Sequence, residues 1–172
     1  MIRSRGLRSV RKNSWLPVAD VVSSEVRSRM MSGIRGKNTK PELILRAGLH
    51  RRGFRFRLHA SDLPGKPDLV FPKHRAVLFA HGCFWHGHDC HLFKWPKTRE
   101  EFWRNKIEQN QARDNAIAMS LRRNGWRIGE IWECALKGPG RLSEALVLDH
   151  CKSWLLSTES QLTISGKLEQ PD

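Results

Sequence analysis

The chain has 172 residues, enough for one domain with a sizeable core and too few for two ordinary ones. Lysine and arginine outnumber aspartate and glutamate by 31 to 17, a formal charge of +14, which points to a polyanionic partner, nucleic acid ahead of an anionic membrane surface. No apolar run approaches the roughly 18 residues of a spanning helix, and no apolar stretch follows the basic N-terminus. The sequence therefore reads as a soluble, cytoplasmic protein, and its four cysteines are expected as metal ligands or buried thiols rather than disulfides.

Residues 1–19 hold five basic groups and no acidic one and read as a flexible basic arm. A short helix is predicted over Ser24–Ile34. The stretch "TKPE" opens a second, in which Thr39 caps the helix and Glu42 answers it in a capping box. "FRFRL" at 54–58 alternates as a strand. After the turn-rich "SDLPGK", the runs "DLVF" and "AVLFA" flank "PKH" and predict a hairpin of two buried strands. A long helix is expected from Thr98, with "TREE" as a second capping box, to Arg123, stopping at Asn124–Gly125. "WRIGEIW" reads as a further strand and 141–155 as a closing helix. The polar tail 156–172 is expected to be disordered. Strands in the middle with helices at both ends make 20–155 an α/β domain with a mixed sheet.

The stretch "FAHGCFWHGHDCHLF", 79–93, concentrates four of the eight histidines and two of the four cysteines. Cys83, His88 and Cys90 form C-x4-H-x-C, short enough to wrap one ion, and Cys134 in "IWECAL" is the best fourth ligand for a tetrahedral zinc site. Spacing alone leaves His86 and His91 as alternatives to His88. Cys151, among apolar neighbours, reads as a core thiol. A closed zinc site takes about four ligands, so His81 and His86 are left over at the end of one hairpin strand, while Asp68 begins the other. A carboxylate that holds Mg²⁺ and an imidazole that activates water are what phosphodiester hydrolysis requires; an ordinary turn carboxylate is the plainer reading of Asp68.

At about 100° per residue, Trp103, Ile107, Asn110, Asp114, Ile117 and Leu121 share one stripe of the long helix. Asp114 on a core-facing stripe needs a partner, for which a histidine of the 79–93 stretch is suitable; a helix rotated to pair it with Arg113 or Lys106 at the surface is the alternative. Glu42 is already explained by its cap. Phe84 and Trp85, inside a tight loop of a basic protein, suit stacking on DNA bases, with core packing as the rival reading.

Together "RSRMMSGI", "PGKPDLVF", "HGCFWHGHDCHLF", "PKTREEFWRNKI", "NQARD" and "GWRIGEIWECAL", collinear over about 20–155, resemble the very-short-patch-repair (Vsr) DNA mismatch endonucleases. The resemblance implies a restriction-endonuclease-like fold related to the PD-(D/E)xK nucleases, and nicking of duplex DNA 5′ of the thymine in a T:G mismatch left by deamination of 5-methylcytosine. It further implies that Asp68 and the backbone carbonyl of Ala80 hold Mg²⁺, that His86 activates or positions water, and that His81, Asp114 and Glu42 support the site. Zn²⁺ falls on Cys83, His88, Cys90 and Cys134. Phe84, Trp85 and Trp103 match the aromatic wedge beside the mismatch, which moves Trp103 from core stripe towards DNA contact, and Met31 matches an inserted apolar residue. The chain departs from the familiar pattern at Ala80, where threonine is usual, and at Gly87, where histidine is. A monomer, assisted by mismatch-repair proteins, is the expected state. Two rivals stand beside this reading: a zinc-stabilised DNA-binding module without catalysis, and a restriction-linked nuclease of the same fold with another target.

Overall fold

The computed structural model describes residues 37–167 together with Val26; the basic arm 1–19, Met31 and the rest of the expected Ser24–Ile34 helix lie outside the described residues. Helices α1 (Lys40–Arg51), α2 (Glu100–Arg123) and α3 (Glu144–Leu156) enclose a sheet of β1 (Arg57–Leu58), β2 (Leu69–Phe71), β3 (Ala76–His81), β4 (Arg127–Trp132) and β5 (Gln161–Ile164). The strands lie in chain order. β1, β2 and β3 run antiparallel to their neighbours, whereas β4 is parallel to β3 and β5 is parallel to β4. The sheet is mixed, as the order of elements predicts.

Side-chain alternation along the strands sorts the core into two layers. Leu69, Phe71, Ala76 and Leu78 join Leu45 and Leu49 of α1 and Val147, Cys151, Trp154 and Leu155 of α3 on one face. Val70, Val77 and Ile128 pack with Leu121 and Ile117 of α2 on the other. Each face of the sheet is thus covered by helix, and Cys151 is the core thiol that the sequence suggests.

The structure corrects three expectations. Of "FRFRL", only Arg57–Leu58 pairs as strand. The second capping box is absent: the residue before α2 is Arg99, in the left-handed region at φ 53°, with no side-chain cap, and its guanidinium instead lies over the Phe102 ring. The third concerns the tail from 156, whose residues 161–164 are β5 rather than disordered chain. An edge strand needs only one buried face, and Ile164, 4% exposed, supplies it. The Arg127 side chain steers the chain into that strand by donating to the carbonyls of Trp154, Leu155, Ser157 and Glu159.

Candidate active site and metal centre

Asp68 immediately precedes β2 and Ala80 lies near the end of β3, so the antiparallel pairing of these strands brings them together. The Ala80 N–H donates to Asp68 Oδ2 at 2.8 Å. The N–H and C=O of one residue in an extended strand leave by the same edge, which directs the Ala80 carbonyl towards the side on which Asp68 sits. Burial pushes the Asp68 carboxyl above the ordinary carboxylate range, a shift that a neighbouring cation reverses. Asp68, Ala80, His81, His86 and Asp114 line one cavity of about 780 Å³, whose wall also carries the basic residues Lys37, Lys66 and Arg113.

The 82–95 loop is held by α2. Asn110 Nδ2 donates to the Trp85 carbonyl at 2.8 Å and Gln111 Nε2 to that of His86 at 3.0 Å. One turn further on, Asp114 Oδ2 meets His86 Nδ1 at 2.5 Å. Trp103, Ile107, Asn110 and Leu121 are buried, so the stripe predicted for the helix is its inward face and Asp114 finds its partner there. An ionised Asp114 only accepts, so Nδ1 carries the hydrogen and Nε2 remains as the basic position of the ring. His81 lies beneath, its ring centroid 4.1 Å from that of His86. Burial, reinforced by His86, pushes its pKa down to about 3, so it is neutral at physiological pH. Gly87 suits its place: its φ is +61°, and a Cβ there would lie 2.7 Å from side-chain atoms of both Gln111 and Ile107.

The sulfur and imidazole ligand atoms of Cys83, His88, Cys90 and Cys134 lie within 4.8 Å of one another. His88 presents Nδ1, 3.6 Å from Cys134 Sγ, while its ring stacks on Trp132 with centroids 4.1 Å apart. Backbone N–H groups donate to the sulfurs, Cys134 to Cys83 Sγ at 3.4 Å and Gly166 to Cys134 Sγ at 3.3 Å. Such bonds stabilise thiolate. Burial, with Cys90 adding to it, raises the pKa of both thiols, so these donors fit a cluster whose ionised form is held by a metal ion. Geometry removes the ambiguity left by spacing, since His86 is turned to Asp114 and the His91 ring lies against Gly138.

Phe84 packs edge-on to Trp85 and to Trp103, with centroids 5.2 Å apart in each case. Phe84 and Trp85 are half-buried. Trp103 is only 9% exposed, closed in by both and by Phe102. Its position on the inward stripe places it beneath Phe84 and Trp85, which pack against it.

Glu42 is 1% exposed and serves two purposes. Oε2 accepts from the Thr39 N–H at 3.3 Å, the capping interaction read from sequence, while Oε1 pairs with Arg46 and lies 3.0 Å from His59 Nε2. Glu42 does not line the cavity, and His59 stands between it and Asp68, with Nδ1 3.9 Å from Asp68 Oδ1. Sequence reasoning missed His59, whose left-handed backbone at φ 46° has no sequence pattern. It also missed Glu130, which lines the cavity and pairs in register with Phe79. A lone carboxylate inside the buried strand "WRIGEIW" is a signal that could have found it. Burial raises its pKa, and Asp114 adds to this while Arg122 and His86 oppose it.

A family model described as DNA mismatch endonuclease Vsr matches residues 19–92. The chain is 49% identical over 129 residues to the Type II nicking enzyme V.XorIIP of Xanthomonas oryzae pv. oryzae, covering 75% of this chain and 95% of that one. It is 41% identical over 138 residues to the DNA mismatch endonuclease Vsr of Escherichia coli K12, covering 80% and 88%. To the Type II nicking enzyme V.NmeAIP of Neisseria meningitidis it is 39% identical over 129 residues, covering 75% and 92%.

Proposed function

The chain belongs to the Vsr family of DNA mismatch endonucleases, and from that premise we propose that it nicks one strand of duplex DNA 5′ of the thymine in a T:G mismatch, starting very short patch repair. The observation that carries this reading is the His86–Asp114 pair on the wall of the cavity that also holds Asp68 and the end of β3. That two relatives are nicking enzymes by name supports cleavage of a single strand.

In this reading the fold is restriction-endonuclease-like, and Asp68 and the Ala80 carbonyl hold Mg²⁺. That ion supplies neutralisation of the scissile phosphate and of the charge that develops as the bond to the leaving oxygen breaks. Lys37, Lys66 and Arg113 bind the flanking phosphates. His86 takes a proton from the attacking water at Nε2 while Asp114 retains the Nδ1 hydrogen and stabilises the imidazolium that forms. His81 stays neutral and fixes the plane of the His86 ring. Glu42 acts from behind His59 and has no direct contact with the reacting phosphate.

Zn²⁺ occupies the Cys83, His88, Cys90 and Cys134 cluster and has a structural role: it fixes the loop whose next residues are the wedge, Phe84 and Trp85, and the base, His86. The wedge favours a mismatch because separating a weakened base step costs less. The protein acts as a cytoplasmic monomer, with mismatch-repair proteins assisting. The deciding experiment incubates end-labelled duplexes, matched or with one T:G pair, with Mg²⁺ and either wild type or Asp68→Ala. Cleavage is expected only for wild type on the mismatched duplex and on one strand. Equal cutting of matched DNA would remove the mismatch assignment, and undiminished cutting by Asp68→Ala would remove the metal assignment.

A further inference from the structure

Trp132 ends β4, in register with His81 of β3, and two residues later Cys134 brings its sulfur to the Cys/His cluster from a 3-10 turn. The indole is half-buried, and three imidazoles surround it. It stacks on His88 with ring centroids 4.1 Å apart and 21° between the planes, lies tilted against His81 at 5.2 Å and meets His86 edge-on at 6.2 Å. Among the described residues no other ring touches all three. His88 belongs to the cluster, whereas His81 and His86 line the cavity, so one side chain stands between the two centres.

The chain that joins those centres is short, yet it leaves the rings free. The loop backbone is tied, with the His88 N–H donating to the Cys83 carbonyl at 3.0 Å and Gln111 Nε2 to the His86 carbonyl at 3.0 Å, but each imidazole still turns about its two side-chain bonds. Gly87, which separates His86 from His88, has no side chain through which one ring could brace the other. Asp114 fixes where His86 Nδ1 points, and a single hydrogen bond leaves the ring plane to swing about that contact. An indole is large, flat and stiff. Stacked on an imidazole whose Nδ1 is directed at Cys134 Sγ, it offers a fixed surface to His81 and His86. Such bracing matters to the rate, because a misplacement of about 1 Å at the reacting centre costs on the order of 10²-fold.

We propose that Trp132 is a positioning residue for strand cleavage: its indole couples the Cys/His cluster to the imidazoles of the cavity, so that order at His88 reaches His86 through the aromatic ring as well as through the backbone. This rests on the reading of His86 as the base and of the cluster as the zinc site. The test compares the zinc-loaded full chain with Trp132→Leu, which keeps apolar volume and removes the flat face, or Trp132→Met if the leucine variant does not fold, and with Trp132→Phe, which keeps a ring. Elemental analysis reads zinc, fluorescence anisotropy the affinity for a mismatched duplex, single-turnover assays the nicking rate, and nitrogen–proton NMR correlation the His86 Nδ1–H held by Asp114. The leucine or methionine variant is expected to keep its zinc and the wild-type affinity, to nick about 10- to 100-fold more slowly, and to broaden or lose the Nδ1–H signal. Trp132→Phe is expected to recover most of the rate and the signal. The wild-type rate in the folded leucine or methionine variant, or a slower rate with an unchanged Nδ1–H signal, would overturn the proposal. So would a slower rate that excess Zn²⁺ restores, because Trp132 would then serve only to retain the metal. Wild type that binds no zinc, or undiminished nicking by His86→Ala, overturns it by removing the reading on which it rests, a distinct result.

Discussion

His86 and Asp114, 28 residues apart in the chain, meet at 2.5 Å because α2 lies along the 82–95 loop and donates from Asn110 and Gln111 to the loop's own carbonyls. The carboxylate orients an imidazole whose backbone is already fixed. Asp114→Asn preserves shape but removes the negative charge that stabilises the imidazolium and leaves an amide able to accept from Nδ1 or donate to it. We expect single-turnover nicking to fall about 10²- to 10⁴-fold with duplex affinity and far-ultraviolet circular dichroism unchanged. A variant that nicks at the wild-type rate would show that His86 needs no orienting partner.

His81 leads to a pH dependence of stability. Its folded pKa, about 3, lies below the value of 6.5 for a free histidine, so between these limits the unfolded chain binds a proton that the folded chain does not. Stability contributed by neutral His81 is therefore present above pH 6.5 and is lost as pH falls towards 3, with a slope of at most about 1.4 kcal/mol per pH unit. Denaturant melts of wild type and His81→Asn, both zinc-loaded, should converge in slope above pH 7 and diverge between pH 6 and 4, the variant being the flatter. Parallel curves throughout would show that His81 titrates normally.

Removal of a ligand that touches no reacting group tests the structural role of the Cys/His cluster. Cys134→Ala should contain no zinc by elemental analysis, melt at lower temperature because metal binding and folding are linked, and nick more slowly than wild type. Retention of one equivalent of zinc would mean that another residue, or a water, completes the coordination.

Trp85 and Trp103 separate contact with DNA from support beneath it. Trp85→Ala is expected to lower the preference for mismatched over matched duplex by about 1–3 kcal/mol in binding, the scale of one aromatic stack, with little change in melting temperature. Trp103→Ala should instead destabilise the protein by about 3–5 kcal/mol, as loss of a buried indole does. A Trp103→Ala variant of wild-type stability with weakened DNA binding would place it in the wedge.

What is legible in the sequence follows from how far each signal extends along the chain. The inward stripe of α2 is a long periodic pattern, so Asp114 can be placed on the core side before its partner is known. Cys134 is found because it closes a strand beside the loop. His59 and Arg46 leave no such trace: their arrangement depends on a left-handed residue and on a helix packed across from it, neither of which has a period. β5 escapes notice because an edge strand with one buried face needs only Leu162 and Ile164 in a polar stretch. Trp103 carries two readings: its burial agrees with helical spacing, and its part in the wedge is left to the DNA-binding measurement.

The N–H of Gly166 reaches Cys134 Sγ from beyond the last strand, and this has a bearing on when the protein becomes active during its own synthesis. The residues that face the cavity are made early, all of them before residue 131, yet the loop bearing His86 gains its fourth ligand only at 134 and that ligand's backbone donor only at 166. A chain still on the ribosome has therefore emerged almost whole before its metal centre can close. If the cluster holds the proposed Zn²⁺, cutting competence is expected to arrive with the final strand, and a copy truncated before Gly166 is expected to nick more slowly.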